Sequence, residues 1–263
     1  YEWGTDSPTS WVEVADEMRN EEQVLAIVNT KKDALALLTA LDDPEALHLS
    51  TLLCGLHRQR VIENVRRRLN SGNPCRLVST QVVEAGVDLD FPLVLRALGP
   101  LDSIIQSAGR CNREGRLNKG RVNVFTPEGG GLPPGPYRIA TDITASLLRG
   151  GAIDPNDPAT ARNYLRLLYE TANTDSEGIQ ALRRVFEYPK VAERFRMIGD
   201  ETESVIITGY GTSDQRGRAR NLLEQLRKGA PNARSLLRGL QPFMVSVYRG
   251  QTSALSANGV IDE

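Results

Sequence analysis

The chain has 263 residues, which is enough for one large domain or two smaller ones, and its 40% hydrophobic and 25% charged residues are typical of a globular protein. It contains no apolar run of about 18 residues, and its first residues form no basic and apolar leader, so we expect neither a transmembrane helix nor a signal peptide. The 3 Cys are scattered and only 2 His are present, which favours a reducing compartment and argues against a disulfide framework or a zinc site.

The net charge of -1 conceals a strong asymmetry along the chain. Residues 1–56 carry 3 Lys+Arg and 11 Asp+Glu, a net charge of -8, whereas residues 57–121 carry 12 and 6, a net charge of +6. A basic middle segment in an otherwise neutral or acidic chain indicates a local site for a polyanion.

Strand and helix patterns alternate over the first 125 residues. The predicted strands are 24–28, 46–49, 76–79, 93–95 and 122–125. The predicted helices are 10–20, 29–41, 56–69 and 102–113. Short apolar runs alternating with amphipathic helices predict an α/β fold, with a parallel sheet flanked by helices.

A Gly-rich and Pro-rich segment at 128–136 ends this pattern, because it can continue neither a helix nor a strand. We therefore predict an α/β lobe over 1–132, a helical linker over 133–190 and a small α+β C-terminal module over 191–263. The helices predicted after the lobe are 139–149, 157–171, 176–185, 216–228 and 232–240, and the strands are 205–207 and 243–248. We expect the last stretch, 250–263, to be loose.

Three polar segments are candidates for a ligand site at the carboxyl ends of the strands, where open α/β sheets bind ligands. The first is 29–32, at a helix N-terminus that favours an anion, and the second is 79–81, leading into 82–90. The third is 106–116. We interpret Asp88 as an acceptor for a ribose hydroxyl or as a partner that orients Arg113. For each segment taken alone, a helix cap or polar turn remains an open alternative.

Gln106, Arg110 and Arg113 stand at i, i+4 and i+7, so they share one face if the segment is helical. One amide and two guanidiniums suit recognition of a triphosphate, because the guanidinium fork matches pairs of phosphate oxygens. An ordinary solvated Arg-rich helix is the alternative.

Together these segments resemble the motifs of superfamily 2 helicases. I-V-N-T near the start resembles motif IV, S-T-Q-V-V-E-A-G-V-D resembles motif V, and Q-S-A-G-R-C-N-R-E-G-R resembles motif VI. The chain most resembles the CRISPR-associated helicase–nuclease family of type I systems. That resemblance extends to W-V-E-V-A, the proline-rich exit from the lobe and V-A-E-R-F-R-M-I, so it covers most of the chain.

The resemblance implies a second RecA-like helicase lobe, linker helices and an accessory C-terminal domain. Carried over by motif, Arg113 is the arginine finger, Arg110 contacts the γ-phosphate and Gln106 helps to order the site. Gly86 and Asp88 contact the nucleotide or couple it to Arg113.

The resemblance also implies contacts with single-stranded DNA. The expected DNA-binding residues are Asn29, Thr30, Ser50, Thr51, Arg58, Ser79, Thr80 and Gln81. The other basic residues of the 56–69 helix are weaker candidates, and a solvated basic face remains open for Arg58, Arg60, Arg66, Arg67 and Arg68.

Several helicase parts are missing from the sequence. It has no G-x-x-x-x-G-K-[ST] loop, no D-E-x-[HD] box and no His-Asp nuclease motif. The family therefore implies that ATP and Mg²⁺ are held mainly by a first lobe outside this chain. We interpret the chain as a C-terminal fragment, or a proteolysed remnant, of a longer protein and expect it to be inactive alone; a naturally separate subunit stays an open alternative. No residue of this chain is assigned to a metal.

The expected partners are the first lobe and nuclease domain of the same enzyme, single-stranded DNA and a CRISPR surveillance complex, in the cytoplasm of a prokaryote and with no membrane. In this family the expected outcome is 3′→5′ movement on DNA that feeds a nuclease. Two alternatives stay open: another superfamily 2 helicase lobe acting on RNA or DNA, and a non-catalytic docking module of a surveillance complex.

Overall fold

The computed structural model describes residues 1–151, 153–172, 175, 177–195, 202–250 and 252. The chain divides into two compact units, Tyr1–Leu168 and Tyr169–Glu263. Nearly all of the stretch predicted to be loose, 250–263, lies outside the described residues.

The first unit contains a six-stranded sheet in which all neighbouring strands are parallel, in the order β1-β6-β5-β2-β4-β3. The strands are β1 Glu2–Thr9, β2 Gln23–Ile27, β3 Leu47–Leu49, β4 Cys75–Ser79, β5 Leu93–Ala97 and β6 Arg121–Pro127. This arrangement confirms the predicted parallel α/β sheet.

Strand β1 was not predicted, because its sequence lacks an apolar run or regular alternation. It pairs with β6 along the edge of the sheet, and the register shifts between Gly4 and Pro8. An edge position tolerates a proline, since that strand leaves one side of its backbone unpaired.

Helices cover both faces of the sheet. They are α1 Trp11–Arg19, α2 Lys31–Leu41, α3 Gly55–Asn70, α4 Leu101–Ala108, α5 Pro136–Arg149 and α6 Pro158–Thr171. Met18 of α1 and Leu37 of α2 belong to the core on one face, and Val65 of α3 and Ile104 of α4 belong to the core on the other. Strand β2 is buried after its first residue, as its continuous apolar run predicted.

Helices α5 and α6 form a further apolar cluster with the start of α4. Tyr164 of α6 is almost fully buried, and its hydroxyl donates to Asp102 Oδ1 at 2.9 Å. Burial, and then the hydrogen bond with Asp102, raise the pKa of Tyr164. The first unit therefore includes helices from beyond the Gly-rich and Pro-rich segment.

The second unit has its own small sheet and helices. Strands β7 Thr202–Ile206 and β8 Met244–Tyr248 pair antiparallel, and the helices are α7 Ile179–Arg184, α8 Tyr188–Arg194, α9 Ser213–Arg227 and α10 Ala233–Leu240. The helix predicted over 176–185 is shorter, and α8 was not predicted. The domain boundaries near 132 and 190 remain predictions.

Within the described residues, we find no helix whose length and hydropathy would let it span a lipid bilayer.

Candidate nucleotide and DNA site

Helix α4 ends at Ala108, five residues earlier than predicted, so Arg110 and Arg113 do not continue its face. Beyond the helix the backbone turns and pairs with Phe91: Phe91 N–H donates to the Arg110 carbonyl and Asn112 N–H donates to the Phe91 carbonyl, both at 2.9 Å. The prediction of one helical face for Gln106, Arg110 and Arg113 is therefore wrong, because pairing with Phe91 replaces the helical hydrogen bonds.

The position of this segment also differs from the prediction. Phe91 precedes β5, so residues 110–113 lie at the amino end of that strand, after α4 has returned along the sheet. The other two candidate segments do follow the carboxyl ends of β2 and β4. The candidate site therefore has two parts: an arginine segment at 110–113 and a carboxyl edge formed by the ends of β2, β3 and β4.

Arg113 forms an ion pair with Asp88, through Nη1 and Oδ1. The side chains are 43% and 78% exposed, so solvent screens this pair and it contributes little to stability. Asp90 holds the backbone of the same segment, because its carboxylate accepts from Arg113 N–H at 2.6 Å and from Glu114 N–H at 3.3 Å. The pairing of motif V with Arg113 fits the interpretation of Asp88 as an orienting residue.

Arg110 is half-buried, and its Nη2 donates to the backbone carbonyl of Glu84 at 2.7 Å. Within the described residues its buried Nε has no hydrogen-bond partner. Burial lowers the pKa of Arg110, and the nearby Arg113 cation lowers it further, while Asp88 and Glu84 oppose that shift. Two adjacent guanidiniums, of which that of Arg113 is exposed, favour an anion such as a phosphate.

Gly86 lies on the turn that leads to Asp88, with φ 73°, which a glycine adopts without strain. Gln106 is exposed on the last turn of α4.

Several predicted DNA contacts are buried at the carboxyl edge. Ser79 and Ser50 are 0% exposed: the Ser79 hydroxyl donates to the Leu49 carbonyl at 2.9 Å, and Ser50 Oγ accepts from Leu52 N–H at 3.1 Å. Asn29 is 3% exposed. In this conformation these three side chains serve hydrogen bonds within the lobe.

The remaining predicted contacts, apart from Thr80, are more accessible. Thr51 is exposed, while Thr30, Gln81 and Arg58 are half-buried and Thr80 is buried at 7% exposure. Thr30 Oγ also caps α2, accepting from Asp33 N–H at 3.1 Å, and Arg58 donates to the Leu53 carbonyl at 3.1 Å. DNA binding by this edge stays a prediction.

The basic helix α3 is partly engaged within the protein. Arg68 pairs with Glu45 at 2.7 Å, and Arg66 Nε donates to the Asp88 carbonyl at 3.3 Å. Arg66 is otherwise exposed and lies near the loop that holds Arg113.

Sequence reasoning missed a buried polar network beneath both parts of the site. Its centre is Arg96 on β5, which is 0% exposed and pairs with Glu84 at 3.0 Å. Tyr137 of α5 also belongs to it, donating to Asn29 Oδ1 at 2.8 Å. The available signal was one arginine inside an otherwise apolar strand, since such a charge must be paired when it is buried.

In the described part of the chain, no group of three or more His, Cys, Asp and Glu side chains is arranged to hold a metal ion.

Residues 20–116 match a family model described as CRISPR-associated nuclease/helicase Cas3, C-terminal. A CRISPR-associated nuclease/helicase Cas3 from Haloferax volcanii is 49% identical over 71 residues, which are 26% of this chain and 8% of that protein. One from Methanothermobacter thermautotrophicus is 31% identical over 123 residues, 43% of this chain and 15% of that protein.

The fold extends the likeness beyond the matched sequence. The structure of T. fusca Cas3-AMPPNP covers 96% of this chain at a TM-score of 0.60 and 16% identity, while this chain covers 36% of that one. The chain thus spans a minor part of the length of these relatives. Over residues 20–116 the sequence of this chain is similar to the C-terminal part of CRISPR-associated nuclease/helicase Cas3, and over nearly its whole length the chain shares the fold of T. fusca Cas3.

Proposed function

We propose that this chain is the second RecA-like lobe, linker and accessory domain of an ATP-dependent helicase that moves on single-stranded DNA and feeds it to a nuclease in type I CRISPR interference. The observation that carries the proposal is the adjacency of Arg110 and Arg113 beside Asp88 on a parallel α/β lobe. The partners are a first lobe and nuclease domain of the same enzyme, the DNA strand and a CRISPR surveillance complex.

The arginine segment fits the phosphates of a nucleotide held by a facing lobe. Arg110 is half-buried, and Arg113 is 43% exposed and forms an ion pair with the well-exposed carboxylate of Asp88. An approaching phosphate can therefore pair with the exposed Arg113 guanidinium without breaking a buried ion pair, and it can contact the solvent-accessible part of the half-buried Arg110 side chain.

ATP supplies the phosphoryl group that is transferred to water, and the facing lobe holds most of its triphosphate together with Mg²⁺. Arg113 stabilises the charge that develops on the transferred group, and Arg110 contacts the γ-phosphate. Asp88 keeps Arg113 extended before the lobes close. Gly86 allows the turn that brings Asp88 to the nucleotide side, and Gln106 lies nearby on α4 to help order the site.

The carboxyl edge contacts the DNA backbone. Thr80 and Gln81 follow β4 and Thr51 follows β3, so their polar groups lie along one edge of the lobe. The buried members Ser79, Ser50 and Asn29 support that edge from below through their hydrogen bonds.

The decisive experiment is Arg113→Ala in the intact helicase. We expect ATP binding to persist and turnover to fall by about 10³–10⁵, the range for loss of an arginine finger. Steady-state hydrolysis and binding of a fluorescent ATP analogue measure the two quantities.

Arg116→Ala is the matched control, because Arg116 lies three residues away and pairs with Glu114 at the surface. Its turnover is expected to match the parent. An Arg113→Ala enzyme with unchanged kcat contradicts the finger assignment, and stimulation of the parent by RNA but not by single-stranded DNA contradicts the DNA assignment.

A further inference from the structure

The network around Arg96 contains a buried ion pair. Its guanidinium pairs with Glu84 Oε1 at 3.0 Å, with 0% and 8% of the two side chains exposed. Burying an ion pair seldom stabilises a fold more than apolar packing does, because both charges lose their hydration. Stability alone therefore does not account for a charged pair at this position.

On one side the network reaches the carboxyl edge. Arg96 Nη1 donates to Asn29 Oδ1 at 2.9 Å, and Arg96 Nη2 donates to the Tyr137 hydroxyl at 3.0 Å. Gln81 Nε2 donates to the same hydroxyl at 3.1 Å and to the Asn29 carbonyl at 2.9 Å. The Tyr137 hydroxyl therefore links Arg96 directly to a predicted DNA contact.

On the other side the network reaches the arginine segment. Ser103 and Ser107 of α4 donate to the two Glu84 carboxylate oxygens at 2.6 and 3.2 Å. The backbone carbonyl of Glu84 accepts from Arg110 at 2.7 Å. The position of Glu84 thus affects both α4 and the guanidinium that follows it.

The packing leaves little freedom for this network to shift. A Cβ at Gly99 would lie 2.9 Å from the Tyr137 hydroxyl, 3.1 Å from Arg96 Nη2 and 3.3 Å from Asn29 Oδ1. The backbone after β5 therefore closes tightly over the polar groups. Gln81 and Arg96 donate to the same Tyr137 hydroxyl, so a movement of Gln81 changes a hydrogen-bond partner of Arg96.

We propose that Arg96, Glu84 and Tyr137 form a positioning unit that couples the DNA-contacting edge at Gln81 to the nucleotide-contacting Arg110. The inference rests on the proposed function and adds three residues to which the motifs assigned no role. When DNA displaces Gln81, the change passes through Tyr137 and Arg96 to Glu84 and so alters the position of Arg110. The unit acts through other residues and does not itself contact DNA or ATP.

Tyr137→Phe in the intact helicase is the mildest test, because it removes one hydroxyl and keeps the ring. We expect the single-stranded DNA concentration that half-saturates ATP hydrolysis to rise about three- to tenfold, the value of one or two hydrogen bonds. Tyr169→Phe is the matched control, since Tyr169 is 69% exposed, and it is expected to match the parent.

Glu84→Gln tests the end of the network that supports Arg110. It removes the charge opposite Arg96 at nearly constant shape, and we expect kcat at saturating DNA to fall because α4 and Arg110 lose their common support. We compare kcat divided by the half-saturating DNA concentration in each single variant and in the double variant with Tyr137→Phe. The change in this ratio in the double variant is expected to differ from the product of the two single changes by more than about twofold, as for residues in one network.

The outcomes distinguish a failure of the proposed function from a failure of the coupling through Arg96, Glu84 and Tyr137. A parent enzyme that single-stranded DNA does not stimulate contradicts the proposed function. A stimulated parent whose Tyr137→Phe variant keeps the same half-saturating DNA concentration overturns the coupling alone. Additive effects of folded Tyr137→Phe and Glu84→Gln variants overturn it as well. If Glu84→Gln does not fold, the Tyr137→Phe measurement decides the question.

Discussion

Thr30 has a predicted role in DNA binding and an observed role as the N-cap of α2. The sequence suggested a DNA contact, whereas its hydroxyl caps α2 and its Cγ2 lies against Gly131. The first turn of α2 also contacts the Gly-rich segment, because the buried Asp33 carboxylate accepts from Gly131 N–H at 3.1 Å. At this residue the structural role is visible, and the DNA role stays a prediction.

Thr30→Ala is expected to lower the free energy of unfolding of the first unit by about 1 kcal/mol, the usual loss for an N-cap. Thr30→Ser keeps the hydroxyl and is expected to keep most of the stability. Chemical denaturation followed by tryptophan fluorescence measures this unit, since Trp3 and Trp11 are the 2 Trp of the chain. Equal losses for Ala and Ser would count against the cap as the cause.

At the scale of an element, the segment after α4 shows how a local loop positions a functional side chain. Asn112 adopts φ 46°, and its side chain bridges the loop, with Nδ2 donating to the Leu117 carbonyl at 2.7 Å and Oδ1 accepting from Leu117 N–H at 2.9 Å. Asparagine tolerates this left-handed backbone better than most residues. The turn brings Arg113 opposite Asp88.

Asn112→Ala is expected to destabilise this loop by about 1–2 kcal/mol, because it adds backbone strain and removes both hydrogen bonds. Asn112→Gly removes only the hydrogen bonds, so its loss is expected to be smaller. Hydrogen exchange of residues 112–117 and ATP turnover of the intact helicase measure the two consequences. A glycine variant worse than the alanine variant would contradict the role of the backbone angle.

At the scale of the whole molecule, the described surfaces offer arginines to a nucleotide but the sequence contains no phosphate loop to hold one. An arginine finger acts only when another element binds the triphosphate and its metal ion. In the proposed helicase, the missing motifs and the exposed Arg113 are consistent with a nucleotide site that is shared with a facing lobe.

The isolated 263-residue chain is accordingly expected to hydrolyse ATP no faster than the buffer blank, with or without single-stranded DNA. Phosphate release measures this, with the intact helicase as the positive control in the same assay. Turnover by the pure chain that disappears in its Arg113→Ala variant would contradict the expectation, because it would locate a complete active site within these residues.

Much of the fold was readable from local patterns, because a buried parallel strand needs a continuous apolar run and an amphipathic helix needs apolar residues at helical spacing. The five predicted strands of the first unit, and the order of its helices, follow from those patterns. Strand β1 was missed because its partner, β6, lies more than 100 residues away and supplies the pairing that its own sequence does not indicate.

Part of the candidate site was also predictable from the sequence, and part was not. The motifs predicted Asp88, Arg110 and Arg113 as site residues, and their roles stay predictions. The predicted helix continued past Ala108, because the sequence of 109–113 does not reveal that Phe91 offers a competing backbone partner. The partners of Arg96 come from strands and helices distant in sequence, so only their meeting in the folded chain could identify them. Periodicity records which face of an element is buried, whereas a polar network depends on how several elements are arranged around it.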